Sequence, residues 1–218
     1  MILLAADTSG KQGSIAIARC IAATGCEVLE VVNLAGGTFS AQLVPQVAAL
    51  LAKHDLNKND IDGFAVASGP GSFTGLRVGL AAIKAFAEVL GKPIAWVSLL
   101  ESVAVEGGMA DSLAVLDAGR TEVYVGEYLG NKLVSERLLT LQELLNGANG
   151  LSVVTPDATV AAAIRVSGSP VKEIERPRSD AIARLGWKKL QAEEIISAED
   201  LEANYIRRSD AEIFSQPR

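Results

Sequence analysis

The densest cluster of residues with potential for chemistry is Gly69-Pro70-Gly71-Ser72-Phe73-Thr74-Gly75. It falls between a β-type apolar run and an apolar helical run. Glycines there permit positive φ and close backbone approach. The free N–H groups at the following helix start favour an anion. The spacing fits neither common phosphate-loop pattern. Leu76-Arg77 follows Gly75, where a Walker A loop needs Lys and then Ser or Thr. The dinucleotide pattern needs G-x-G-x-x-G, and this stretch reads G-x-G-x-x-x-G. It also follows the fourth strand rather than the first, with no acidic strand end about twenty residues on. The alternative is a tight turn and a capped helix, with Ser72 or Thr74 as the cap.

Two aspartates stand at equivalent places. Asp7-Thr8-Ser9-Gly10 and Asp117-Ala118-Gly119-Arg120 each end an apolar strand. They could flank a magnesium nucleotide, or simply cap turns. A vestigial phosphate or nucleotide site would comprise Asp7, Thr8, Ser9, Gly69, Gly71, Ser72 and Asp117. Other chemistry lacks parts. A zinc or iron site needs several converging ligands, and His54 is the single histidine. It closes a helix beside Asp55, where a solvated charge suits the helix C-terminus. Ser72 has no G-x-S-x-G frame and no base nearby in sequence. Cys20 and Cys26 do not make a disulfide framework and are expected as reduced thiols in a strand pair.

Composition bounds the rest. The 218 residues are 49% hydrophobic and 21% charged, which is globular and enough for a real core. Net charge is −6 and aromatics are 5%. A chain that grips a phosphate backbone alone should show a basic stripe with stacking aromatics. Here the basic residues are dispersed apart from Arg207 and Arg208, so any nucleic-acid role is expected to be shared with a partner. The start, MILLAADTSG, lacks a basic leader and reads as a first strand. No apolar run is long enough to span a membrane, and the expected location is cytoplasmic.

Strands are expected at Ile2–Ala6, Gly13–Ala18 and Glu27–Leu34. A helix capped by Ser40 runs to about Lys53, then a strand at Ile61–Ala67 and a helix at Thr74–Leu90. Gly91 and Pro93 stop that helix, and Ile94–Val97 and Leu99–Glu106 complete the half. The second half repeats the order. Strands fall at Ser112–Leu116, Glu122–Leu129 and Lys132–Leu138, with a helix at Leu141–Leu145. Leu151–Val154, Asp157–Val166, Val171–Glu175 and Ser179–Ile196 follow, before an extended tail at Leu201–Arg208. The fold class is α/β, a duplicated βββαβαβα of the actin and sugar-kinase (ASKHA) type with two subdomains, 1–107 and 108–218.

Two helices are unusually apolar. In Thr74–Leu90 the charged residues Arg77, Lys84 and Glu88 fall within roughly 40° of one another at 100° per residue. In the preceding helix Gln42, Gln46 and Lys53 make one narrow polar line. A subdomain of about 100 residues has little room to bury two helices on nearly all sides. These helices are therefore read as a partner surface, with Leu43, Val47, Leu50, Leu76, Gly79, Leu80, Ile83 and Phe86 as its contact residues.

The strand IDGFAVAS (61–68) followed by GPGSFTGLRVGLAAIKAFAEVLGKP (69–93) closely resembles the core of the bacterial TsaB (YeaZ) family. LLAADTSG (3–10), FSAQLVPQVAALL (39–51), WVSLLESVA (96–104), LDAGRTEVYVGEY (116–128) and ANYIRRSDAE (203–212) occupy the expected order. The Gly69–Lys84 block is highly specific and the others are modest. The resemblance implies an actin-like fold and a non-catalytic paralogue of TsaD, the enzyme that threonylcarbamoylates an adenosine beside the tRNA anticodon. It implies pairing with TsaD through the two apolar helices, recruitment of the ATPase TsaE, and homodimerisation through the same surface when alone. No cofactor is required of the chain, with ATP or ADP a candidate ligand of the assembled complex. TsaD holds its metal with a histidine pair that this chain lacks, which favours TsaB and argues against a metallopeptidase (glycoprotease) reading. An ATP-binding kinase or ATPase on the same fold is the other alternative. One departure is Phe39, where the family usually carries a histidine before its S-x-Q-L-x-P stretch.

Overall fold

β1 (Ile2–Asp7) is apolar up to its closing Asp7 because both of its faces are covered. In the computed structural model, which describes residues 1–147 and 150–206, it is the middle strand of a five-stranded sheet. β2 (Gly13–Ile21) and β3 (Gly25–Leu34) continue as an antiparallel meander on one side. On the other side β4 (Gly63–Gly69) and β5 (Ile94–Ser98) add in parallel, giving the order β3-β2-β1-β4-β5. α1 (Phe39–Lys53) and α2 (Phe73–Leu90) are the intervening helices. α3 (Leu99–Gly107) ends the first half.

The second half repeats this plan strand for strand. β6 (Ser112–Gly119), β7 (Glu122–Leu129) and β8 (Lys132–Thr140) form the meander, and α4 (Leu141–Gly147) follows. β9 (Ser152–Thr155), α5 (Ala158–Val166), β10 (Val171–Glu173) and α6 (Ser179–Gln191) complete it. The sheet order is β10-β9-β6-β7-β8, the first order with each strand replaced by its counterpart. The expected duplicated βββαβαβα is therefore the observed one.

The chain divides differently from the expected 1–107 and 108–218. One unit comprises Met1–Ser98 with Arg178–Asn204, and the other begins at Leu99 and runs to Pro177. The last helix of each half has been exchanged. α3 packs on β6, β7 and β9, and a side chain at Gly107 would meet the Val154 methyls at 2.7 and 2.8 Å. α6 packs on the first sheet.

Strand alternation explains the first unit. Leu4, Ala6, Ile15, Ile17, Phe64 and Val66 join Leu43, Val47, Leu50, Leu76, Leu80 and Ile83 in one core. The opposite face carries small residues such as Ala5, Ala16, Ala65 and Ala95, all fully buried. α6 can therefore lie close, and a Cβ at Gly186 would collide with the Cβ of Ala65. The N–H of Ser179 donates to Ser14 Oγ at 2.9 Å and fixes the helix start on β2. Beyond α6, Glu193 turns at φ 58° and the chain crosses back as a strap. Ile196 N–H donates to Ile94 O (2.9 Å) at the β5 edge, Leu201 enters the core, and Asn204 N–H donates to Ser68 O (2.7 Å). The basic pair Arg207 and Arg208 lies outside the described residues.

Helix ends follow local chemistry with one correction. Ser72 Oγ accepts from Gly75 N–H (3.3 Å) and Gly91 is left-handed at φ 63°, as the cap and stop residues require. α1 begins one residue before Ser40, with Thr38 at the cap position and no side-chain cap bond. Gln42 secures this start instead, accepting from Ala35 N–H at 3.1 Å and donating to Ala35 O at 3.2 Å. Phe39 is buried against Gly13, so the aromatic ring is a core contact at the helix start.

Cys20 and Cys26 were expected as thiols. The β2–β3 register places them directly opposite each other, and they are joined as a disulfide.

At the other end of α1, Glu30 of β3 accepts Lys53 Nζ at 2.7 Å and meets His54 Nε2 at 3.0 Å. The hydrogen bond from Lys53, and then that from His54, hold the Glu30 carboxyl below its ordinary value of 4.5. A carboxyl lowered on folding contributes stability that is present above its unfolded pKa and lost as pH falls through the folded one. We expect Glu30→Gln to lower the melting temperature slightly at pH 7, with the gap to the parent closing below about pH 4. Thermal scans of both proteins across this range check it, and a gap that persists at low pH would refute the assignment.

Candidate partner surface and glycine loop

The Gly69–Gly75 loop lies against the chain's own first turn. Asp7 Oδ1 accepts from Ser9 N–H (2.8 Å) and Ser9 Oγ (2.6 Å), an Asx-type closure that buries the carboxylate. Ser9 O accepts from Ser72 N–H at 2.6 Å, and Thr8 Oγ1 donates to Gly75 O at 2.7 Å. The glycines serve this approach. A Cβ at Gly71 would lie 2.5 Å from Ser9 O, one at Gly75 would overlap Thr8 O, and one at Gly79 would overlap Thr8 Oγ1. Gly69, at φ 112°, turns the chain out of β4. Thr8, Ser9, Gly69, Gly71 and Ser72 thus come together with Asp7, but against each other. The space a side chain would take at Gly71 holds Ser9, and that at Gly75 holds Thr8.

Asp117 belongs to the second unit and repeats the turn. Its Oδ1 accepts from Gly119 N–H at 2.8 Å, the counterpart of Asp7 and Ser9. Its own N–H donates to Asp157 Oδ2 (2.8 Å), and Asp157 Oδ1 takes Arg176 Nη2 at 2.5 Å. Both aspartates act as turn closers at strand ends. Among the described residues, no three His, Cys, Asp or Glu side chains are grouped so as to hold a metal ion.

The expected contact residues are corrected by the packing. Leu43, Val47, Leu50, Leu76, Gly79, Leu80 and Ile83 are buried within the first unit, Ile83 completely. Phe86 is half-buried and stacks on Phe64, ring centroids 6.2 Å apart. These residues face the sheet, because the sheet takes the large aliphatic side of each helix. Gly79 makes room for Thr8 and not for a second helix.

What remains outside is also apolar. On α1 the exposed positions include Ala41, Val44, Pro45, Ala48 and Ala49; on α2 they include Ala81, Ala85 and Val89. Val44 is 51% and Val89 77% exposed, values that an uncovered aliphatic surface gives. Between the helices runs an open groove of about 490 Å³ with Leu43 at its floor and Val44, Phe73, Val78, Ala81 and Ala82 on its walls. Arg77 stands at its rim with its guanidinium 3.7 Å from the centre of the Phe73 ring, a cation–π contact. The signal for this face lay in the helical wheel. Ala81, Ala85, Val78, Val89 and Ala82 follow one another beside the Arg77–Lys84–Glu88 line, opposite Leu76, Leu80 and Ile83.

Comparisons with known proteins agree with this architecture. The family described as "TsaD: tRNA N6-adenosine threonylcarbamoyltransferase" matches residues 33–213. The tRNA threonylcarbamoyladenosine biosynthesis protein TsaB of Bacillus subtilis is 33% identical over 147 residues, 66% of this chain and 62% of that protein. An uncharacterized protein of Mycobacterium tuberculosis (strain H37Rv) is 31% identical over 194 residues, 84% of this chain and 81% of its own. The structure of YeaZ from Pseudomonas aeruginosa superposes with a TM-score of 0.74 over 94% of this chain and 99% of that one, at 23% identity. The actin-like fold, the duplicated sheet order and these matches lead to one assignment: the chain belongs to the TsaB (YeaZ) family of tRNA threonylcarbamoyladenosine biosynthesis proteins.

Proposed function

We propose that the chain is a non-catalytic scaffold subunit of the tRNA N6-threonylcarbamoyladenosine machinery. It pairs with a TsaD-type transferase through the outer face of α1 and α2, helps to recruit a TsaE-type ATPase, and self-associates through the same face when the transferase is absent. The observation that carries this reading is the exposed apolar face and its groove. A contiguous apolar surface of this kind costs solubility unless a partner covers it. The non-catalytic role is supported by Asp7 and Ser9, whose polar atoms close the first turn. A net charge of −6 fits a subunit that meets tRNA through its partners. Among the described residues no helix is long and apolar enough to cross a membrane, and we place the work of the subunit in the cytoplasm.

Ala81→Glu and Val44→Glu test the surface from its two helices. Both positions are exposed, so each variant should melt within about 2 °C of the parent. Each should reduce co-purification with a TsaD-type partner by at least about tenfold, because an unpaired carboxylate is desolvated in the complex. Retention of the complex at parental strength by both variants would overturn the proposal.

A further inference from the structure

Cys20 and Cys26 form a site that the tRNA reading does not use. They face each other near the end of the β2–β3 hairpin, and the residues between them, Ile21 to Gly25 with the turn at Ala22 to Thr24, are exposed. The two residues differ in exposure. Cys20 is 1% exposed, whereas Cys26 is only partly buried. The hairpin does not depend on the bond between them. Its pairing runs from Gly13↔Leu34 to Ile21↔Gly25. Cys20 is also tied to the chain start, its N–H donating to Met1 O at 2.8 Å and its carbonyl accepting from the Met1 ammonium at 3.0 Å. A cross-link six positions apart in a hairpin already paired removes little chain freedom. The open form is also provided for, since the Cys26 sulfur lies 3.9 Å from the carbonyl oxygen of Ala183 in α6, within reach of an S–H donor.

We propose that Cys20 and Cys26 are an exchangeable thiol–disulfide couple, opened and closed without unfolding the chain. Opening needs a dithiol reductant. Its thiolate attacks the sulfur of Cys26, the more exposed residue of the pair, forming a mixed disulfide. The Cys20–Cys26 bond breaks and its electron pair leaves on Cys20, which takes a proton. The second thiol of the reductant then displaces Cys26, which takes the other proton, and the reductant departs as its own disulfide. Two electrons and two protons pass to the protein, and an external disulfide reverses the sequence. The couple is independent of the partner-surface reading.

The test uses the full chain purified without reductant. Thiol titration should find none before treatment and two after native incubation with dithiothreitol, with an intact-mass gain of about 2 Da. Oxidised glutathione should return the count to zero. Backbone amides of Ile21 to Gly25 should exchange about tenfold faster in the reduced form, with those of Leu3 to Ala6 unchanged. A bond that yields thiols only after denaturant is added would be a permanent staple and would overturn the proposal. So would two free thiols that oxidised glutathione cannot join. The double variant Cys20→Ser, Cys26→Ser should fold and show no redox response. Its failure to fold would also make the bond a staple.

Discussion

Gly75→Ala should destabilise the chain by about 3 kcal/mol, the upper end for overpacking. The added Cβ meets the backbone oxygen of Thr8, which cannot swing aside as a side chain could. Thr8 is buried, and its hydroxyl already donates to Gly75 O, so separating the two segments also breaks that bond. For a chain of this size the shift corresponds to roughly 6–12 °C in melting temperature. Denaturant unfolding, with the midpoint falling at constant slope, measures it. The result also bears on the loop. If Gly75 were needed for a ligand, the free chain would tolerate alanine and only binding would suffer. A midpoint within about 0.5 kcal/mol of the parent would show that the loop has room, and would revive the cradle reading.

Ile83→Glu should abolish folding. Ile83 is 0% exposed at the centre of the first unit's core, among side chains of α1, α2 and the sheet. Removing it forfeits about 2–3 kcal/mol of apolar burial. A carboxylate there has no partner, which adds several kcal/mol through desolvation or forced protonation. The sum approaches the whole stability of an ordinary domain, about 5–15 kcal/mol. Circular dichroism should show lost helix signal, and the protein should collect in the insoluble fraction. A folded, monodisperse Ile83→Glu protein would mean that the side chain can leave the core. Ala81→Glu, two residues earlier on the outer side of the same helix, should remain folded. The two variants separate loss of structure from loss of a partner.

Much of the architecture was legible because strand and helix periods are local properties. β7 was placed to the residue, and the turns after Asp7 and Asp117 announced the duplication. α6 was read as far as Ile196 but stops at Gln191. Ala192 to Ile195 carry no glycine or proline, so propensity favours continuation; the β5 edge wins, because Ile196 bonds Ile94 there. The exchange of α3 and α6 was not legible. An amphipathic helix states that it needs a sheet but not which one, and two sheets of one topology offer equivalent faces. The apolar character of both helices was legible, but which side of each the sheet would take was not: their large aliphatic residues are buried on the sheet, and the alanine-rich side is the one left exposed.

The exchange of the last helices also sets the order in which the chain can complete itself. The alanine face of the first sheet is finished when β5 is made, yet its cover, α6, begins at Ser179, some 80 residues later. At about 5–20 residues per second that is roughly 4–16 s of synthesis during which the face stands open. An early release of residues 1–107 would leave it uncovered permanently and would strand α3 without β6, β7 and β9. Each half in its present form therefore lacks the helix that covers its own sheet, α6 for the first and α3 for the second.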